Sequence, residues 1–233
     1  MNYAWPLPAA IAAGMAAPAL VAFLIGKPTL RLSGVYLAMA TLAFGEVVRL
    51  VIIRAEGLTG GALGLNGIPQ LTQWWQVLLA VVLVLAFLAR LRRSKIGRAF
   101  EAIKEDETAA GLMGIDVDGH KMLAFALGAA IAGLAGVLNA HLTFFIGPQE
   151  FGFDRGVEIL TMTILGGINS LFGPVLGALI ITLLPELLRS FKDYRAVANG
   201  LILVVIVLFL PKGLWNPAWV RRLLGLRRKG VTP

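Results

Sequence analysis

Apolar runs of about twenty residues, separated by short polar or glycine-rich stretches, set the rhythm of this sequence. The first run covers residues 7–25 and is rich in alanine, with Gly14 and Pro18 inside it. Small residues suit close helix packing in lipid, and Pro18 predicts a kink. The second run covers residues 32–53 and gives way to a glycine-rich stretch, 57–69, that reads as irregular loop. The third, residues 74–88, opens on the interfacial pair Trp74 and Trp75 and closes on Arg90, Arg92 and Arg93. Residues 94–121 then turn polar. Their string RAFEAIKEDETAAGLMGI holds strong helix formers and an alanine-rich face, which predicts one or two short helices outside the apolar layer. The fourth run, residues 122–142, carries Gly128, Gly133 and Gly136 among alanines and predicts a tightly packed helix.

The stretch 151–188 is apolar throughout but interrupted by Gly166, Gly167, Asn169, Ser170, Gly173 and Pro174. One straight helix of that length would run about 57 Å, far beyond a hydrocarbon core of about 30 Å, so a broken pair of short helices fits better. A last run, residues 197–210, stops at Pro211 and leads into a basic tail, 212–233.

Composition makes these runs membrane spans. With 58% hydrophobic residues, 15% charged ones and a mean hydropathy of +0.82, the chain carries more apolar surface than a compact core of 233 residues could bury. The net charge of +8 is compatible with nucleic acid, an anionic membrane face or topology alone, and the clustering of basic residues beside apolar runs selects topology and excludes nucleic acid as the expected partner. Counting the broken pair as two crossings puts fifteen basic residues on one side and five on the other; counting it as one gives twelve against eight. The positive-inside rule prefers the first. The expectation is therefore an all-α polytopic membrane protein of about seven transmembrane segments, amino terminus outside and carboxyl terminus in the cytoplasm. Its parts are a transmembrane domain, 1–211, containing an inner loop, 94–121, and a basic cytoplasmic tail, 212–233. The first basic residue is Lys27, which argues against a secretory signal peptide. An outside amino terminus without a targeting segment leads to the further expectation that one or more helices precede this sequence.

Chemistry is sparse. There are no cysteines and only two histidines, His120 and His141, and the sequence holds neither H-E-x-x-H nor G-x-S-x-G, so no enzyme, metal site or cofactor is expected. The string nearest a P-loop, LIGKPT, has Val21 in place of the first glycine and Pro28 after Lys27, so ATP binding by that motif is excluded. Within the spans, Glu46 and Arg49 stand three apart on one helix face, where they can form an ion pair lining a solute path or a structural pair reaching toward water. Glu158, Thr161 and Thr163 fall in the first short helix of the broken pair, and Asn139 and His141 near the outer end of the fourth span. The same residues are equally accommodated by capping and interhelical hydrogen bonds.

Three strings carry a resemblance: LRLSGVYLAMATLAFGEVVRLVI (30–52), GRAFEAIKEDETAAGLMGID (97–116) and ILGGINSLFGPVLGA (164–178). Together they resemble the LivM type of permease from branched-chain amino acid ABC importers, over nearly the whole chain. The closing Leu210-Pro211-Lys212-Gly213 is similar to that family's last helix end. The resemblance implies a permease subunit of the bacterial inner membrane for branched-chain amino acids or a similar small polar solute. It implies two ABC ATPase subunits, a second permease subunit in a heterodimer, a periplasmic or extracellular solute-binding protein and membrane lipid as partners. ATP hydrolysis then belongs to the partner subunits. It implies an ATPase-coupling role for Glu105, Glu107, Ala109, Ala110 and Gly114, with Glu107 one place before Thr108, which stands where the wider importer motif has Glu. A solute path touching Glu46, Arg49, Glu158 and Thr161 is the matching expectation. It further implies an additional amino-terminal region, with a glycine-rich first helix pair, ahead of Leu7. Two alternatives stand beside it: a secondary transporter, which calls for inverted repeats and membrane-embedded acids, and a non-transporting membrane assembly protein.

Overall fold

The computed structural model describes residues 6–187 except Arg31 and Ser33; the expected last span, 197–210, and the basic tail lie outside the described residues. Among the described residues four helices are long and apolar enough to cross a membrane: α1 (Leu7–Thr29), α2 (Val35–Arg54), α4 (Trp74–Arg93) and α7 (Val117–Thr143). Each coincides with one of the apolar runs. Short elements fill the connections: α3 (Glu56–Thr59), α5 (Lys95–Glu105) and α6 (Glu107–Leu112), with β1 (Leu65–Asn66) paired antiparallel to β2 (Phe145–Ile146). The broken stretch folds as α8 (Phe153–Gly166) and α9 (Gly173–Leu187). At 1.5 Å per residue α8 reaches about 21 Å, short of a full hydrocarbon core. The described residues thus carry four full-length spans, the short helix α8 and α9 as far as Leu187, toward the seven segments expected. They fall into two compact units, dividing between Phe153 and Asp154.

In the first unit, α1 lies along α7. A Cβ added to Gly133 would collide with the Gly14 carbonyl and lie 2.9 Å from Pro18 Cγ, and one added to Gly26 would lie 2.6 Å from Met122 Sδ. Residue 14 therefore meets 133 and residue 26 meets 122, so the helices run antiparallel. Backbones this close are possible only because both contact positions are glycine, the means by which lipid-embedded helices gain van der Waals contact without a hydrophobic drive. α1 continues through Pro18 and Pro28 to Thr29, four residues past the expected end, where Thr29 Oγ donates to the Ile25 carbonyl.

The ends of the spans sort into two faces. One gathers the end of α1, the end of α4, α5, α6 and the start of α7, together with Lys27, Arg90, Arg92, Arg93, Lys95, Arg98, Lys104 and Lys121. The other gathers the end of α2, the start of α4, the β1–β2 pair and the end of α7, with Trp74 and Trp75. Up-down alternation of four spans follows, and the positive-inside rule assigns the first face to the cytoplasm.

The outer face is closed by structure that the glycine-rich stretch did not announce. Gly60, Gly61, Gly64 and Gly67 all have positive φ, and a Cβ on Gly64 would strike the Ile146 carbonyl, so the β1–β2 contact needs glycine there. His141 Nδ1 lies 2.9 Å from the Pro69 carbonyl, tying the end of α7 to the same loop. Just before α4, Thr72 is fully buried and its hydroxyl has no partner among the described residues. Since an unmade buried hydrogen bond is destabilising, Thr72→Val is expected to raise stability by about 1 kcal/mol, read as a higher melting temperature in detergent.

In the second unit, α8 and α9 form a helical hairpin. A Cβ on Gly166 would overlap the Gly173 carbonyl, and one on Gly177 would overlap the Met162 carbonyl. Gly167, at φ 104°, starts the turn, and Ser170 fixes it by accepting from Gly173 N at 2.8 Å and donating to the Gly167 carbonyl at 3.2 Å.

Candidate functional site

The polar segment builds a knuckle on the basic face, each bend set by a side-chain cap. At the end of α4, Ser94 Oγ donates to the Leu91 carbonyl (2.6 Å) and accepts from Gly97 N (3.2 Å), starting α5. A Cβ on Gly97 would strike the Leu91 carbonyl, so this corner closes only on glycine. Asp106 stops α5 and starts α6, its Oδ1 accepting from Thr108 N (2.8 Å) and Ala109 N (2.9 Å). α6 ends in a Schellman turn: Ile115 N donates to the Ala110 carbonyl, Gly114 N to the Gly111 carbonyl, and Gly114 takes φ 82°. Asp116 Oδ1, accepting from Gly119 N, then starts α7, which begins five residues earlier than the apolar pattern indicated.

Two contacts fix the knuckle to α7. Glu107 Oε2 pairs with Lys121 Nζ at 2.5 Å, and the Phe100 and His120 rings meet edge to face with centroids 6.0 Å apart. Between α5 and α7 a cavity of about 410 Å³ is lined by Phe100, Ile103, Glu105, Asp106, Lys121 and Ala124 among others.

The five expected coupling residues separate in space. Glu105, Ala109 and Gly114 are exposed, and Glu105 forms no ion pair with another described residue. Ala110, 4% exposed, packs inward, while Glu107 is engaged with Lys121. The most prominent side chains of the knuckle are two that sequence reasoning passed over, Leu112 and Met113, at 85% and 83% exposed. Their signal was present: two large apolar neighbours inside a polar segment, immediately ahead of a glycine able to turn the chain.

On the outer face, the structure joins Glu46 and Arg49 (3.2 Å) and engages both with the main chain leading into α8 and at its first residue. Arg49 Nε donates to the Pro148 carbonyl at 3.2 Å, and Phe153 N donates to Glu46 Oε1 at 3.1 Å. The pair is a clasp holding α2 to residues 148–153. In the second unit, Glu158 pairs with Arg155 at 2.6 Å, and the Thr161 and Thr163 hydroxyls donate to the Val157 and Ile159 carbonyls of their own helix. Among the described residues no cluster of metal-ligating side chains occurs.

Spans of this length, ends sorted by charge and short helices outside the apolar layer define a multi-pass helical protein of the bacterial inner membrane. Residues 1–210 match the family described as the permease component of branched-chain amino acid transport systems, and the chain belongs to that family. It is 35% identical to the high-affinity branched-chain amino acid transport system permease protein LivM of Escherichia coli, over 88% of this chain and 56% of that protein. It is 36% identical to the corresponding LivH of Escherichia coli over 58% of this chain and 46% of that protein, and 33% identical to BraD of Pseudomonas aeruginosa over 66% and 51%. The chain thus spans about half the length of the curated relatives it matches. No solved structure matches it.

Proposed function

We propose that this chain acts as a transmembrane permease subunit of an ABC importer, forming part of the path for a branched-chain amino acid or a similar small polar solute and taking its power stroke from separate ATPase subunits. The α5–α6 knuckle carries this reading. It is a capped helical projection on the basic face, tied to the start of a span by Glu107–Lys121 and tipped by Leu112 and Met113. An exposed apolar tip flanked by acids suits insertion into a groove with a basic rim, and its attachment to α7 gives a pushed knuckle a route to a span. Similarity to both LivM and LivH supports a second, homologous permease as partner, and the family supports two ATPases and an external solute-binding protein.

Co-purification with the cognate ATPase tests this. Leu112→Asp with Met113→Asp is expected to cut ATPase recovery at least tenfold while leaving the chain monodisperse. Unchanged recovery from a chain that still folds would refute the docking site. A secondary transporter instead predicts uptake without any ATPase, and an assembly protein predicts vesicles whose ATPase activity ignores solute.

For the solute path, Glu158 and Thr161 are proposed as lining residues of α8. Glu46 and Arg49 were expected there too, but a structural role is favoured by their bonds to Pro148 and Phe153. Exchanging the two, Glu46→Arg with Arg49→Glu, keeps a helical ion pair but breaks both main-chain bonds. Loss of thermal stability in detergent is the expected result; full stability with altered solute preference would return the pair to the path.

A further inference from the structure

The inner end of α4 offers a surface that neither the coupling role nor the span itself uses. Ala86, Ala89, Arg90, Arg93 and Ser94 line a concavity of about 590 Å³. At 100° per residue, positions 86, 89, 90 and 93 share one face of α4. Two short side chains thus leave a channel along the helix just where two guanidinium groups end it. Arg92 lies about 110° round the helix from the centre of that face and is already paired with Glu101 at 3.6 Å. Arg98 is exposed but engaged at the corner, its Nη1 donating to the Arg93 carbonyl at 3.1 Å. Arg90, Arg93 and Lys95 form no ion pair with any described residue, although Glu101, Glu105, Asp106 and Glu107 lie within the next fourteen positions. Depth fits as well. Trp74 marks the outer interface, and the rise from Trp74 to Arg90 and Arg93 is about 24 and 28 Å, which brings the two forks to the opposite headgroup layer.

We infer that Arg90 and Arg93 form a site for one anionic phospholipid, its phosphate held between the two guanidinium groups and an acyl chain lying over Ala86 and Ala89. Arginine's planar fork matches phosphate oxygens bidentately, and cations immediately inside a span are attracted to an anionic leaflet. The groove adds what a diffuse positive-inside charge lacks, an apolar trough aligned with the cations. A zwitterionic phospholipid offers the same phosphate but brings its own ammonium cation against two unpaired arginines. The site adjoins Ser94 and Gly97, the corner on which the knuckle turns, so an occupied site braces that corner from the membrane side.

The test is lipid binding to the full-length chain purified in mild detergent, titrated with phosphatidylglycerol and read by native mass spectrometry. Arg90→Gln with Arg93→Gln is expected to weaken binding about 25-fold, taking roughly fivefold per cation near a membrane surface. Arg92→Gln, off that face and at a side chain already paired with Glu101, is expected to leave binding within twofold, and phosphatidylcholine should compete poorly with phosphatidylglycerol. Glycerol 3-phosphate without acyl chains should fail to displace the lipid; displacement by it would reduce the site to a free-phosphate contact and overturn the trough. Equal loss from the Arg92 variant, or no loss from the double variant, would also overturn the inference and leave only topological charge.

Discussion

Gly133→Leu is expected to abolish recovery of folded protein, with Gly133→Ala already reducing it severely. The reason is local: a Cβ at 133 collides with the Gly14 carbonyl, a backbone atom that no rotamer change can move aside. α1 must then retreat along the length of α7, losing the dispersion contacts that hold two helices together where no water is available to drive them. Overpacking a close contact typically costs about 1–3 kcal/mol, and a leucine facing backbone sits at or above the top of that range. Gly136, three positions on, is a control within the same helix, since a Cβ there meets nothing within 4 Å. Gly136→Ala should therefore leave the melting temperature and monodisperse yield unchanged. A Gly133→Ala protein as stable as Gly136→Ala would contradict the packing of α1 on α7.

The second large effect concerns the α8–α9 hairpin. Under the proposed permease role, Gly177→Val is expected to eliminate solute uptake by the assembled transporter, because its side chain would drive into the Met162 carbonyl and part the two helices. Gly166 and Gly173 close the same seam at the turn, so the hairpin has no second way to pack. α8 is too short to reach across a full hydrocarbon core, and a short apolar helix leaves main-chain ends that must be satisfied by protein or a wet cavity. The hairpin is thus more sensitive to separation than two full-length spans would be. Ser170→Ala, which removes both hydrogen bonds of the turn, should have a smaller effect of about 1–2 kcal/mol. Uptake assays on both variants, with membrane abundance measured in parallel, separate the two; wild-type uptake by Gly177→Val would sink the close-packed hairpin.

Much of the architecture was legible because lipid imposes a length and water imposes charge. The four long apolar runs became α1, α2, α4 and α7, and the glycine break at 166–174 became the turn between α8 and α9. Boundaries drifted where polar residues continue a helix beyond the apolar layer: Lys27 to Thr29 extend α1, and Asp118 to Lys121 belong to α7. The β1–β2 pair was invisible, since two residues per strand give no alternation to read, and only the run of positive-φ glycines hinted at backbone contact. At the knuckle, spacing located the segment but not its facing. Ala109 and Ala110 are indistinguishable as letters, yet one is exposed and the other buried against the chain. Gly114, expected as a coupling residue, has a conformational reason to be glycine, the left-handed turn that ends α6. The clasp of Glu46 and Arg49 to Pro148 and Phe153 joins positions about a hundred residues apart and leaves no trace in local pattern.

The coupling proposal rests on the knuckle protruding on the inner side within reach of a motor. Because the chain contains no cysteine, Met113→Cys introduces a single thiol at a position 83% exposed. In membranes holding the full transporter, that thiol should crosslink to the ATPase subunit, with a yield that changes when ATP is added, and should resist a membrane-impermeant maleimide applied to intact cells. Labelling from outside the sealed cell, with no crosslink to the ATPase, would contradict it.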